Sequence, residues 1–285
     1  MASVTITPKD VSELRARTGA GMMDCKRALE ETGGDMEKAV ELLRKKGIAK
    51  AEKRVGRSAS QGVVMVETSA DGREGAMVEL NCETDFVART DGFQSLARAL
   101  ASHVAAHADP GIDAGNVQDQ PFAAGKTVAQ EIKEVSGKVG EVVALNHYAR
   151  FKPAEGVVGH YLHHNGMVGV LVELAGASGD AALALARDIA LHISFADPIG
   201  ITGADVPADL VERERRIAEE QVAQEGKPEA IRGKIVDGKI RKFIAERTLL
   251  EQPFVRDDKT TVGQVMKQVG AGITVTRFAR FKVGG

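Results

Sequence analysis

The sequence predicts an α+β protein, and three observations predict it. Residues 8 to 46 carry helical spacing only, the middle of the chain repeats a strand-turn-strand-helix pattern, and two charged helices interrupt the second repeat. The expected architecture is an N-terminal three-helix bundle, a core of two related strand-turn-strand-helix units, and an inserted antiparallel helical hairpin. The expected divisions are residues 1–55 for the bundle with a basic linker, 56–150 for the first core unit and 151–285 for the second, with the hairpin at about 207–246.

In the bundle, Pro8 suits a first helical turn, with Val11 and Leu14 on its apolar side. Gly19-Ala-Gly21 breaks the pattern, which resumes from Met22 to Glu31 with Met22, Cys25 and Leu29 on one face and Met23 left over. Gly33-Gly34 is a second break. Asp35 is placed to cap a third helix carrying Met36, Ala39, Val40 and Leu43, which is expected to stop at Gly47. Arg44 to Arg57 then holds seven basic residues against Glu52 alone. Such a run can track a phosphate backbone, but without interleaved aromatics a solvated linker helix is the favoured reading.

The middle repeats. Gly62-Val-Val64 and Val78-Glu-Leu80 recur as Gly156-Val-Val158 and Val172-Glu-Leu174, both at an offset of 94 (62 to 156, 78 to 172). Leu96-Ala-Arg98 recurs as Leu185-Ala-Arg187 at 89, followed by His103 against His192 and Ala108-Asp-Pro110 against Ala196-Asp-Pro198. Asp71-Gly72 and Asn165-Gly166 mark the hairpin turns. The drop from 94 to 89 puts five extra residues in the first copy, within Asn81-Cys-Glu-Thr-Asp-Phe-Val-Ala-Arg-Thr-Asp91. The second copy makes the same connection with Ala175-Gly-Ala-Ser-Gly-Asp180. Either Asp85 caps a short turn and Phe86 folds back on the core, or Phe86 and Val87 form an apolar tip that enters a partner. A loop longer than its scaffold needs favours the tip.

Further elements follow in order. Thr127 to Val135 reads as a helix and Glu141 to Phe151 as an alternating strand. Asp209 to Ala223 and Glu229 to Ala245 read as two helices split by Gly226-Lys-Pro228, with seams of Leu210, Ile217 and Val222 and of Ile231, Ile235 and Ile240. Gln252-Pro-Phe254, a helix over Thr261 to Val269 and a strand over Ile273 to Val283 return to sheet character, which marks the helical pair as an insertion.

Composition narrows the function. A net charge of -2 argues against a nonspecific nucleic-acid binder, and the absence of Trp with 4% aromatics argues against base-stacking platforms. Cys25 and Cys82 lack metal-ligand spacing and point to a reducing compartment, and the start carries no targeting pattern, so a cytoplasmic location without membrane attachment is expected. Gly125-Lys-Thr127 resembles the end of a phosphate loop, but Gln120 stands where that loop needs glycine. His160-Tyr-Leu-His163-His164 reads as a surface turn, and His103 with His107 as packing or solvent-facing side chains. No nucleophile-and-base set is evident.

Thr18-Gly-Ala-Gly-Met-Met-Asp-Cys-Lys26 and Asn81-Cys-Glu-Thr-Asp-Phe-Val87, supported by Gly169-Val-Leu-Val172 and Gln252-Pro-Phe-Val255, carry a resemblance. Over nearly its whole length the chain resembles the bacterial elongation factor Ts family. That resemblance implies a guanine-nucleotide exchange factor for elongation factor Tu, acting without covalent chemistry or cofactor. It implies an N-terminal UBA-like module, a two-part core and a coiled-coil hairpin with a possible role in self-association. It also implies that Thr84, Asp85, Phe86 and Val87 displace Mg²⁺ from the GTPase, that Arg15, Met22 and Met23 are module contacts, and that His163 is a core contact. Longer members end in a further helical module that touches the partner. Here the sequence stops at Gly285, so that contact is expected to be missing or replaced. The rival expectation is a ribosome- or RNA-associated protein using Arg44 to Arg57.

Overall fold

The computed structural model describes residues 5–52, 56–226 and 228–285. Three helices open it: α1 Pro8–Thr18, α2 Met22–Glu31 and α3 Met36–Glu52. Thr7 and Asp10 cap α1 reciprocally, because the Thr7 backbone and hydroxyl donate to the Asp10 carboxylate while the hydroxyl accepts from the Asp10 amide. Gly19 leaves the helix in the left-handed region at φ 69°. The Lys38 amide donates to the Asp35 carboxylate at 3.0 Å and fixes the start of α3. Leu14, Cys25, Ala28, Leu29 and Ala39 are buried together. Gly47 does not stop α3, as the sequence suggested: the helix continues past it to Glu52. Gly47 is instead a crossing point, where its backbone lies against that of Gly137.

The first core unit runs β1 Gln61–Thr68, β2 Gly75–Cys82, α4 Asp85–Ala88, α5 Asp91–His107, β3 Gly111–Ile112, α6 Val128–Val139 and β4 Val143–Phe151. Its antiparallel sheet has the order β1-β2-β4-β3. The second runs β5 Val157–Leu162, β6 Val168–Ala175, α7 Gly179–Ala196, a 3-10 turn at Gly203–Asp205, α8 Ala208–Gln224, α9 Glu229–Arg247, β7 Pro253–Phe254, β8 Asp257–Thr261, α10 Val262–Val269 and β9 Thr274–Lys282. Its sheet has the order β5-β6-β9, and β7 pairs with β8. Each unit buries two helices in one core with its sheet, α5 with the shorter α6 and α7 with the shorter α10. Phe93, Leu96 and Leu100 of α5 join Val78 and Leu80, while Leu185, Ile189 and Ile193 of α7 join Val172 and Leu174.

The duplication extends further than the sequence repeat suggested. Strand β2 slips register at Glu79/Leu80 against β4, and β6 slips at Glu173/Leu174 against β9. His103 meets the Gln120 side chain at 2.9 Å, and His192 meets Gln252 at 3.0 Å. Gln120-Pro-Phe122 therefore matches Gln252-Pro-Phe254. The capping boxes of Thr127 with Gln130 on α6 and of Thr261 with Gln264 on α10 match in the same way. This assigns Gly125-Lys-Thr127 to a helix start. Lys126 is held by Glu131 at 3.0 Å and Glu134 at 2.6 Å, so its ammonium is committed to carboxylates.

The two units meet reciprocally. The Val64 amide donates to the Gly166 carbonyl at 2.7 Å, and the Val158 amide donates to the Gly72 carbonyl at 2.6 Å. Val64 also packs over Gly169, and its counterpart Val158 over Gly75, so closely that a Cβ on either glycine would clash. Met77 with Leu171, Ala149 with Ala279 and Phe151 with Phe281 fill the shared layer between the sheets as matched pairs.

Helices α8 and α9 form the antiparallel hairpin, inserted between Pro198 and Gln252, where the first unit has only the segment from Gly111 to Asp119. Its seam differs in part from the expectation. Ala218, Val222, Val236 and Ile240 are buried with Val211, Ile235 and Ile244 beside them, whereas Ile217 and Ile231 are exposed. Ala218 and Val236 occupy the contact because two helices approach most closely over small and β-branched side chains. Lys227, in the break between these helices, lies outside the described residues.

Candidate partner-binding site

The stretch from Asn81 to Asp91 leaves the buried strand β2, turns through the four-residue helix α4 and enters α5. The helix cap is Thr84, not Asp85: the Val87 amide donates to the Thr84 hydroxyl at 3.4 Å, and Thr84 has the extended backbone of a cap. Asp85 occupies the first helical position and pairs with Arg89 at 3.0 Å. Phe86 is 80% exposed, so it does not fold back on the core. Val87, expected at the tip with it, packs half-buried against the first unit's core. The apolar tip is therefore one ring, with Asp85 beside it.

The tip stands on a rigid base. Both carboxylate oxygens of Glu141, in the connection between α6 and β4, accept from Thr84: Oε2 from its amide at 3.0 Å and Oε1 from its hydroxyl at 2.6 Å. In return the Glu83 carboxylate accepts from the Val142 amide at 2.9 Å. The Cys82 thiol beneath donates to the Thr84 carbonyl at 3.1 Å. Burial, reinforced by the Glu141 charge, raises this thiol to about 11, so it stays a protonated packing group. Glu141 did not stand out in the sequence, because it contacts the tip only through folding.

Across a groove from the tip lies the turn between β5 and β6. Thr84, Asp85 and Phe86 line one side of this groove, and Asn165 and Met167 the other. This turn is the one whose Gly166 carbonyl accepts from Val64, so the unit interface fixes its distance from the tip. His163 belongs to the same turn, half-buried, its Nδ1 3.1 Å from the Tyr161 hydroxyl and its ring 4.2 Å from that of His164. His160 is not part of a surface turn. It sits in β5 against the Thr68 hydroxyl at 3.2 Å, and burial, then the nearby Arg187, lowers its pKa. Among the described residues, no group of three His, Cys, Asp or Glu is placed to hold a metal ion.

Arg15, Met22 and Met23 lie on the bundle, away from this groove. All three are exposed, Met22 at 53% and Met23 at 64%. The bundle rests on α6 through the Gly47–Gly137 crossing and an Arg44–Glu134 ion pair at 3.0 Å. Helix α6 thus touches the bundle through Glu134 and Gly137 in its second half and leads at its end to Glu141 under the tip. The basic run is drawn into ion pairs, Arg44 with Glu134, Lys45 with Glu41 and Lys46 with Glu31. Its Lys53 and Arg54 lie outside the described residues. Among the described residues no helix is long and apolar enough to cross a membrane.

Comparison with known proteins agrees along the whole chain. The family model described as Elongation factor TS matches residues 83–285. The chain is 44% identical to elongation factor Ts of Aquifex aeolicus (strain VF5), covering 99% of both chains. It is 42% identical to that of Prosthecochloris aestuarii (strain DSM 271 / SK 413), covering 98% of this chain and 99% of the relative. It is 45% identical to that of Thioalkalivibrio sulfidiphilus (strain HL-EbGR7), covering 99% of this chain and 93% of the relative. With relatives at 42–45% identity over 98–99% of its length, the chain belongs to the elongation factor Ts family of translation elongation factors.

Proposed function

We propose that this chain is a guanine-nucleotide exchange factor that binds GDP-loaded elongation factor Tu, displaces its Mg²⁺ and releases GDP so that GTP can enter. One observation carries the reading: an exposed aromatic ring, Phe86, stands on a clamped helical turn that the second unit does without. A GTPase holds its nucleotide through Mg²⁺ and the amides of its phosphate loop. An exchange factor needs no covalent chemistry. It binds the empty GTPase more tightly than the loaded one, and by linkage the nucleotide is weakened by the same factor, about 1.4 kcal/mol for each tenfold.

In this reading residues 1–55 grip the GTPase through Arg15, Met22 and Met23, and the core brings Thr84, Asp85 and Phe86 to the Mg²⁺ side, Val87 seating the tip. His163 and its turn form the second edge. The hairpin of residues 207–246 is a separate surface, and its exposed Ile217 and Ile231 suit self-association. Binding through Phe and Met anchors predicts a shallow dependence on salt, whereas an RNA-binding role for Arg44 to Arg57 predicts a steep one. The direct test is release of a fluorescent GDP analogue from elongation factor Tu at millimolar Mg²⁺. Acceleration by catalytic amounts of the chain is expected, and an unchanged rate would overturn the proposal.

A further inference from the structure

We infer that Glu141 is a positioning residue for exchange, acting on the partner only through the tip that it holds. This rests on the exchange reading above. The inference comes from how completely the Glu141 carboxylate is used. One oxygen takes the Thr84 amide and the other takes the Thr84 hydroxyl, so both acceptors go to the single residue that caps α4.

The hydroxyl contact has a further effect. Because the Thr84 hydroxyl gives its hydrogen to Glu141, its lone pairs face the Val87 amide, which is the capping bond of α4. Glu141 therefore sets the hydroxyl orientation on which the turn carrying Asp85 and Phe86 depends. A four-residue helix has too few internal bonds to hold itself, so its geometry is imposed from outside. Glu141 is itself fixed, since the Ser136 hydroxyl of α6 donates to its carbonyl and the Val142 amide donates to Glu83. Phe86 is thus aimed by a carboxylate distant in sequence and attached to the helix on which the bundle rests.

The test compares Glu141→Gln, Phe86→Ala and the double variant. Glutamine keeps the shape but offers an NH₂ group where one of the two Thr84 donors needs an acceptor. Glu141→Gln is expected to slow GDP release from elongation factor Tu about tenfold, the scale of one charge-assisted hydrogen bond. It should leave affinity for the nucleotide-free partner within about twofold, and the double variant should match Phe86→Ala alone within about twofold. Thr84→Val, which removes the hydroxyl contact and the α4 cap together, should slow release at least as much as Glu141→Gln does, and an unshifted urea midpoint for Glu141→Gln guards against a variant that folds poorly. If Phe86→Ala slows release and Glu141→Gln does not, the positioning role is overturned while the exchange reading stands. Additive effects, or binding weakened in proportion to release, would make Glu141 a general structural residue and also overturn it. If Phe86→Ala itself exchanges normally, the tip reading fails and the inference fails with it.

Discussion

Gly47 of α3 and Gly137 of α6 cross with no side chain between them, so a Cβ on Gly137 would lie 2.7 Å from the Gly47 carbonyl carbon. Backbone against backbone leaves no flexible atom to give way. Gly137→Val is expected to push the bundle off α6 at a cost of about 1–3 kcal/mol. Hydrogen exchange should then accelerate across α3 while β2 and α5 keep their protection. Unchanged protection in α3 would show that the crossing is not a seat.

Replacing Phe86 and Asp85 together by alanine should change stability by about 0.5 kcal/mol or less, because the ring is solvated and the Asp85–Arg89 pair is exposed. GDP release should nevertheless slow strongly. The defect should shrink when excess EDTA removes Mg²⁺, since the ion is what the tip is proposed to displace. Urea melts settle the first part: a loss of about 3–5 kcal/mol would mark Phe86 as a core residue.

The hairpin should be dispensable for folding of the core. Its feet are adjacent, since the Leu249 amide donates to the Gly200 carbonyl at 2.9 Å and the Ile199 amide to the Arg247 carbonyl at 2.9 Å. Its apolar seam is its own cluster, and the first unit closes the same connection without it. Replacing residues 208–245 with a short Gly/Ser link should cost the core about 1 kcal/mol or less. Loss of cooperative unfolding in this variant would show the hairpin to be part of the core.

Stability should fall as pH drops below about 6.5. His192 is buried, and its Nδ1 accepts from the Val255 amide, which places the proton on Nε2 facing Gln252. Burial lowers the pKa of His192 and of His103 below 6.5, against the opposing hydrogen bond that each donates to its glutamine Oε1. The neutral form is therefore favoured when folded. The unfolded chain takes up protons at higher pH, so the stabilisation is complete above the unfolded value and is lost as pH falls toward the folded one. Denaturant unfolding between pH 7.5 and 5 should show this slope, and His192→Gln should reduce it in part, since His103 and His160 titrate in the same direction. A flat wild-type profile would contradict it.

Much of this was legible in local chemistry. Pro8 in the first turn of α1, Asp35 before α3 and the turn at Asp71-Gly72 are signals within a few residues of the structure they mark. The five extra residues before Leu96 located the tip because an internal copy gave the comparison. What could not be read depended on contacts between distant segments. Gly47 reads as a helix stop until Gly137 is placed against it. Val87 reads as part of an apolar tip until the first unit's core is placed under it. Glu141 reads as the polar start of a strand, although it holds Thr84. The extended repeat was hidden because the hairpin separates Pro198 from Gln252, so the matching segments lose their constant offset.

The reciprocal bonds of Val64 with Gly166 and Val158 with Gly72 are those of an isologous dimer whose two subunits have been joined into one chain. In a true homodimer every substitution appears twice, and a loop grown on one subunit is grown on both. Fusion lifts that rule. Here one half carries Phe86 at its strand-to-helix link, and the other carries the helical hairpin at a different link. The molecule has symmetric packing and asymmetric equipment, so a single chain presents one tip.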